Sequence, residues 1–199
     1  VANKKFAIKC VEAGVDAIVA EGFEAGGHNG IEELTTMCLI PLISKEIDLP
    51  IIAAGGISSG YSMLAAFSLG ADGIQMGSRF VASKECSAHI NFKNRIIDAD
   101  DAETELTLKE LTAVRLMKND FFYQIKDAYS KNASVIELKK ILGKGRAKKG
   151  MFEGDLKNGE LEIGQVSALL DDILPVSEIM SRIILEYEEA VLRIDKFKI

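Results

Sequence analysis

The sequence is short of the residues that build disulfide frameworks and metal sites. It has three cysteines and two histidines in 199 residues. Cys10, Cys38 and Cys86 are far apart and odd in number. That argues against a disulfide scaffold and fits a reducing, cytoplasmic setting. No CxxC or HExxH spacing occurs, and two histidines do not make a His-rich metal site. Excess positive charge is also missing, since the net charge is −6. Nucleic acid and anionic membrane surfaces, which need clustered cations, are therefore not expected partners. No apolar run approaches the ~20 residues that cross a bilayer. No basic segment followed by an apolar one marks a secretion signal. What remains is a 48% hydrophobic chain, enough for one sizeable core. Its first residue is valine, as expected of a fragment or a processed product.

Three short apolar segments in the first half each stop in glycine: residues 16–20, 51–54 and 73–76. They are too short for helices and suit strands of a covered sheet. Helices are expected between and before them. Residues 4–13 have Phe6, Ile8 and Val11 as an apolar side, with Gly14 to end the helix. Residues 35–47 contain Pro41, which should bend or restart the helix. Residues 59–69 begin in serine and end in Gly70. Alternating strands and helices imply parallel strands with right-handed crossovers, at roughly the spacing of an α/β barrel. The second half reads differently. Residues 86–97, 121–130, 134–142 and 176–193 suit helices, the last three amphipathic. Residues 98–106 suit a loop or an edge. Residues 108–117 fit either a strand or a helix. Residues 143–149 are basic and contain glycine, and residues 151–164 read as an irregular loop.

The glycine ends suggest backbone lying close to a ligand. Gly55 and Gly56 precede a helix start, and Gly77-Ser78 repeats the arrangement after the next strand. Glycine lets backbone N–H groups approach an anion, and a helix N-terminus adds partial positive charge. Ordinary βα turns also use glycine. Two consecutive turns of this kind favour a phosphate, with Gly56, Gly77 and Ser78 as donors. His28 follows two glycines just past the first strand end. It can take or give a proton near neutral pH, or it is a polar loop residue without a role. Glu21 and Glu24 flank it and either orient it or are simply solvated. His89 falls within an expected helix and Cys38 within an apolar helical run, so both are read as structural.

The runs EGFEAGGHNG, PIIAAGGISSGYSMLAAFSLGADGIQMGSRF and GELEIGQVSAL together resemble the nitronate monooxygenase family, formerly called 2-nitropropane dioxygenases. The same signature is shared by the FMN-dependent enoyl-acyl-carrier-protein reductases of the FabK type. The resemblance covers essentially the whole chain and is strongest over residues 1–80. Inosine-monophosphate dehydrogenases share the glycine turns but place a nucleophilic cysteine loop where this chain has residues 24–28, and are set aside.

The resemblance implies an α/β fold, an FMN-binding TIM (β/α)8 barrel. Only its C-terminal portion would be present: strands six to eight over residues 1–85, then a mainly helical region over residues 86–199. Gly26 and Gly27 would lie against the flavin. Gly55, Gly56, Gln75, Met76, Gly77 and Ser78 would hold the FMN phosphate, and His28 would be the catalytic base. The implied reaction is oxidation of alkyl nitronates or nitroalkanes by dioxygen to a carbonyl compound and nitrite. The alternative is reduction of an enoyl thioester by NAD(P)H through FMN, and a further alternative is an inactive half-barrel. A small-molecule substrate is expected, with a homodimer compatible. Without the first strands of the barrel, the chain alone is expected to bind FMN weakly.

Overall fold

A computed structural model of the chain describes residues 1–197. Its first half alternates helix and strand. Helix α1 (Lys4–Glu12) leads into β1 (Ile18–Glu21), and the two-residue strand β2 (Gly27–His28) follows. Then come α2 (Thr36–Ser44), β3 (Ile51–Ala54), α3 (Gly60–Ser68), β4 (Gly73–Gln75) and the short α4 (Ser78–Val81). The second half contains α5 (Ile90–Ile97), β5 (Thr104–Thr107), β6 (Val114–Met117), α6 (Asp120–Ser130) and α7 (Val135–Leu142). A π-helical turn (Lys148–Phe152), a 3-10 turn (Gln165–Leu169) and the long α8 (Val176–Asp195) complete it.

Strands β1, β3 and β4 form a parallel sheet in the order β1-β3-β4, with Ile18 opposite Ile51 and Ile52 opposite Gly73. Val1 runs along the outer edge of β1: Glu21 N–H donates to Val1 O at 2.8 Å. One face of the sheet is covered by helices. Ile18, Ala20, Ile51 and Ala53 pack there with Leu39, Ile40 and Ile43 of α2, Ala7 of α1 and Ala66 of α3. Burial of this aliphatic set is the main stabilising term for the layer. On the opposite face Val19 and Ile52 are only half-buried.

The helix starts follow local chemistry. Asn3 and Asn119 accept from N–H groups of the first turns of α1 and α6. Ser59–Ser62 and Ser134–Glu137 form reciprocal capping boxes on α3 and α7. Pro41 lies inside α2, which runs through it as one helix. Helix α8 packs closely on α3. A Cβ on Gly60 would sit 2.1 Å from Tyr187 N, the Phe67 and Tyr187 rings meet edge-on at 5.9 Å, and Glu186 accepts from Gly60 N–H at 2.9 Å.

The second sheet is antiparallel, in the order β2-β6-β5. Residues 108–117 thus resolve as a strand over their last four, and β5 is an edge. Phe121, Phe122 and Ile125 of α6 and Leu138 of α7 cover β6. A third cluster, including Phe92, Ile96, Met117, Leu161 and Ile163, joins β6 to the two halves of the chain.

Three expectations change. Phe6, Ile8 and Val11 of α1 are exposed, and the helix is anchored instead through Ala7, whose small side chain allows close approach to the sheet layer. Cys38 is exposed rather than packed, because α2 turns Thr36, Leu39, Ile40 and Ile43 inward and leaves position 38 on the other face. His89 is not inside a helix. It is the N-cap of α5, and its Nδ1 accepts from Asn91 N–H at 3.1 Å.

Candidate active site

The carboxyl ends of β1, β3 and β4 open into a cleft of about 200 Å3. In parallel α/β sheets this is where ligands bind, because the βα turns and helix N-termini converge there. Gly26, Gly55, Gly56, Gln75, Gly77 and Ser78 line it, as do Glu21, Glu24 and Glu162. The structure therefore brings together six of the nine residues singled out from the sequence. Met76 is not among them: its side chain packs on the main core. Gly27 and His28 lie to one side, on β2.

The glycines have different physical reasons. A Cβ on Gly55 would meet Gly22 O at 2.7 Å, and one on Gly26 would meet the Ile163 carbonyl carbon at 2.3 Å. These two allow strand ends and loops to touch. Gly56 has φ +72°, a conformation that favours glycine, and faces the Glu24 carboxylate at 3.4 Å. A Cβ on Gly77 would meet nothing within 4 Å. Gly77 borders open cleft at the start of α4, where the first N–H groups of a helix have no intrahelical acceptor. Ser78 Oγ accepts from Gly164 N–H at 3.0 Å and retains its own proton to donate.

Glu24 is not a free loop carboxylate. Thr36 N–H at the start of α2 donates to its oxygens at 3.1 and 3.0 Å. Negative charge there is favoured by the helix dipole. Thr36 Oγ1 also lies 3.1 Å from Glu24 Oε2 and 2.8 Å from Gly55 O, so this threonine ties the loop after β1 to the turn after β3. Glu21 is half-buried, and burial pushes its carboxyl above the usual range. Three acids and no basic side chain line the cleft. A phosphate placed there would rest on backbone amides and hydroxyls, not on an ion pair.

His28 is exposed and lines a neighbouring pocket of about 190 Å3 with Leu108, Leu111, Leu142, Arg146, Glu160 and Glu162. Two features fix its position. β2 pairs with β6, Gly27 opposite Arg115 and His28 opposite Val114. The loop before it is also clamped by Arg115, which is 1% exposed. Its Nε and Nη2 donate to Phe23 O at 3.2 and 2.8 Å, Nη1 donates to Thr104 Oγ1 at 3.3 Å, and its guanidinium stacks 4.4 Å from the Phe23 ring. Burial lowers the guanidinium's proton affinity, partly offset by Glu24 and Glu33; it remains a cation.

Arg115, Thr36, Glu160 and Glu162 are the site residues that the sequence reading missed. For Glu162 a signal was present. Glu160-Leu-Glu-Ile163 alternates half-buried and buried positions as a strand does, and Leu116 bridges to Glu162. Burial pushes both Glu160 and Glu162 upward, and His28 pulls each back. Among the described residues no group of three or more metal-ligating side chains is arranged to hold an ion, and no helix is long and apolar enough to cross a membrane.

With this geometry in place, the relatives are informative. A nitronate monooxygenase of Paraburkholderia phytofirmans is 32% identical, over 98% of this chain and 55% of its own length. The chain thus spans about half the length of the curated relatives it matches. FabK from Thermotoga maritima superposes with a TM-score of 0.92 at 37% identity, covering all of this chain and 62% of FabK. Nitroalkane oxidase from Streptomyces ansochromogenes superposes with a TM-score of 0.79 at 28% identity, over 98% of this chain and 58% of its own. These neighbours fit an α/β fold in which the three parallel strands are one part of a barrel. The family model for nitronate monooxygenase matches residues 1–186, and the chain belongs to that family.

Proposed function

We propose that this chain forms the phosphate-binding and proton-transfer part of an FMN-dependent oxidoreductase acting on alkyl nitronates or nitroalkanes with dioxygen. One observation carries the reading: the glycine turns after β3 and β4 open on a cleft whose wall, through Glu162, is shared with the His28 pocket. The open space at Gly77 and the left-handed turn at Gly56 fit a phosphate, which needs backbone amides without a Cβ in the way. Gly55, Gln75, Met76 and Ser78 would complete the phosphate site, Met76 through its backbone alone. Gly26 and Gly27 would border the ring system. FMN, when bound, supplies the electron transfer between substrate and dioxygen.

The chain's own residues bind, orient and move protons. His28, held on β2, would take the proton from a nitroalkane carbon, or hold one against a nitronate oxygen. The leucines at positions 108, 111 and 142 give the pocket an apolar wall for an alkyl group.

Enoyl-thioester reduction with NAD(P)H is the second reading, favoured by the 0.92 superposition on FabK. Two assays on the protein with FMN separate them. Oxygen uptake with propionate 3-nitronate, without NADH consumption, supports the first. NADH oxidation driven by a crotonyl thioester supports the second. An inactive half-barrel does neither. In whichever assay responds, His28→Ala should lose most turnover, and full activity in that variant would overturn the role of His28. Titration of the 199-residue chain with FMN is expected to show weak uptake. Tight stoichiometric binding would mean that these strands alone make the site.

A further inference from the structure

Most carboxylates near the site already have a partner. Glu24 receives Thr36 N–H, and Glu186 receives Gly60 N–H. Away from the site, Glu85 receives Val176 N–H and Glu137 receives Ser134 N–H. Glu162 differs. It is half-buried, yet among the described residues it has no hydrogen-bond donor and no ion pair. A carboxylate in that condition is costly unless something uses it.

Its backbone is held firmly on both sides. Met117 N–H donates to Leu161 O at 2.8 Å, Gly164 N–H to Ser78 Oγ at 3.0 Å, and Gln165 N–H to Glu24 O at 2.9 Å. Leu116 bridges to Glu162 next to the Arg115–Gly27 and Val114–His28 pairs of the same strand. Glu162 and β2 therefore sit in succession along β6. The carboxylate lies over the Gly27 backbone, where a Cβ would come within 2.6 Å of Oε2. Glycine at 27 is the reason that the carboxylate fits beside residue 28.

The charged groups around it are few. His28 faces it from β2, and Glu160 from its own segment. Glu21 and Glu24 share the cleft wall with it. Arg146 lines the His28 pocket, but its guanidinium is committed to Ile141 O, Leu142 O and Asn158 O at 2.7–2.9 Å. Of the cations lining either pocket, His28 is the one without a competing commitment.

We propose that Glu162 is a positioning residue for His28: its carboxylate, fixed over Gly27, stabilises the protonated imidazole and so raises the proton affinity of His28. Glu162 also lines the cofactor cleft, so the pair places an exchangeable proton at the boundary between cleft and substrate pocket. This consequence for catalysis rests on the proposed role of His28; the electrostatic coupling does not.

The test is an NMR titration of the protein, with the His28 imidazole signal assigned by its loss in His28→Asn. Glu162→Gln keeps the shape and removes the charge. It should lower the His28 midpoint by about half a unit or more, because an opposite charge nearby favours the charged form. The His89 midpoint should stay in place, as a check that the fold is intact. Glu160→Gln should lower the His28 midpoint by less. If Glu162→Gln does not fold, the reciprocal measurement serves: in His28→Asn the Glu162 carboxyl, followed by 13C, should titrate at higher pH than in the parent. A His28 midpoint unchanged to within about 0.1 unit in folded Glu162→Gln, or an unmoved Glu162 midpoint in His28→Asn, overturns the proposal. With a working activity assay, the low-pH limb of kcat/KM in Glu162→Gln should move to lower pH together with the His28 midpoint. If the midpoint moves and no activity responds, the coupling stands and the functional reading fails.

Discussion

Arg115→Met tests whether the second sheet holds the site loop. The substitution keeps much of the side-chain volume and removes the cation. Lost with it are the two donors on Phe23 O, a charge-assisted contact of about 1.5–3 kcal/mol. Stacking on Phe23 adds about 1–2 kcal/mol at a desolvated site. The bond to Thr104 at 3.3 Å is long and counts for little. Working in the other direction, Arg115 has no carboxylate within ion-pair distance, and burying a lone cation costs several kcal/mol that methionine would not incur. The terms leave a net loss of about 2–3 kcal/mol, because Phe23 O stays buried without its donors. For a chain of this size that is a fall of roughly 4–12 °C in Tm. The location of the effect discriminates more sharply than its size. Hydrogen exchange should accelerate first between Gly22 and His28, while the amides of β3 keep their protection. An Arg115→Met protein as stable as the parent, or one loosened uniformly, would show that the clamp on Phe23 does not organise the loop.

Other outcomes follow from single contacts. Gly60→Ala drives a methyl into the α8 backbone at Tyr187 and should cost about 1–3 kcal/mol in thermal unfolding, or more if α8 cannot shift. Gly77→Ala meets nothing within 4 Å and should change stability by less than about 0.5 kcal/mol, yet it should weaken FMN uptake if the phosphate lies there. The Tyr129 hydroxyl, partly buried and donating to Glu110 at 2.6 Å, is pushed up to about 12. Folded Tyr129 therefore holds its proton between pH 10 and 12 while the unfolded residue loses it, so this contribution to stability is complete below pH 10 and disappears as pH rises toward 12. Ultraviolet titration should find the high phenolate midpoint in the parent and a lower one in Glu110→Gln.

The parts of the fold that were legible in the sequence are those whose cause is local. Ile51–Ala54 ends in two glycines because the chain must turn there, and the serine-to-glycine span from Ser59 to Gly70 contains its own capping box and its own stop. The turn glycines of the cleft were visible for the same reason. What was not visible depends on pairing across the chain. β2 is two residues long, and nothing in Gly27-His28 announces a strand; it exists because β6, almost ninety residues later, offers it an edge. The apolar look of α1 was misleading because periodicity reports which residues could be buried, not which neighbour is present to bury them. Ala7, the smallest candidate, is the one that touches the sheet layer.

This division runs through the candidate site itself. Its glycine turns come from three strand ends close in sequence, while the groups that give His28 its surroundings come from residues 108 to 164. Glycine turns of that kind mark a place for an anion but do not choose a reaction, since many folds reuse them. Choice of reaction belongs to the second set, where Glu160, Glu162 and three leucines surround an exposed histidine. A carboxylate without a donor beside that histidine favours a group that keeps its proton longer. A stronger base suits removal of a proton from carbon more than it suits holding an anion that arrives already deprotonated. Within the proposed reading, the surroundings of His28 therefore favour the neutral nitroalkane over its nitronate. Comparing the two substrates in the parent and in Glu162→Gln gives the direction: the variant should lose more kcat/KM with the nitroalkane than with the nitronate, and an equal loss with both would remove the proton-abstraction role from the pair.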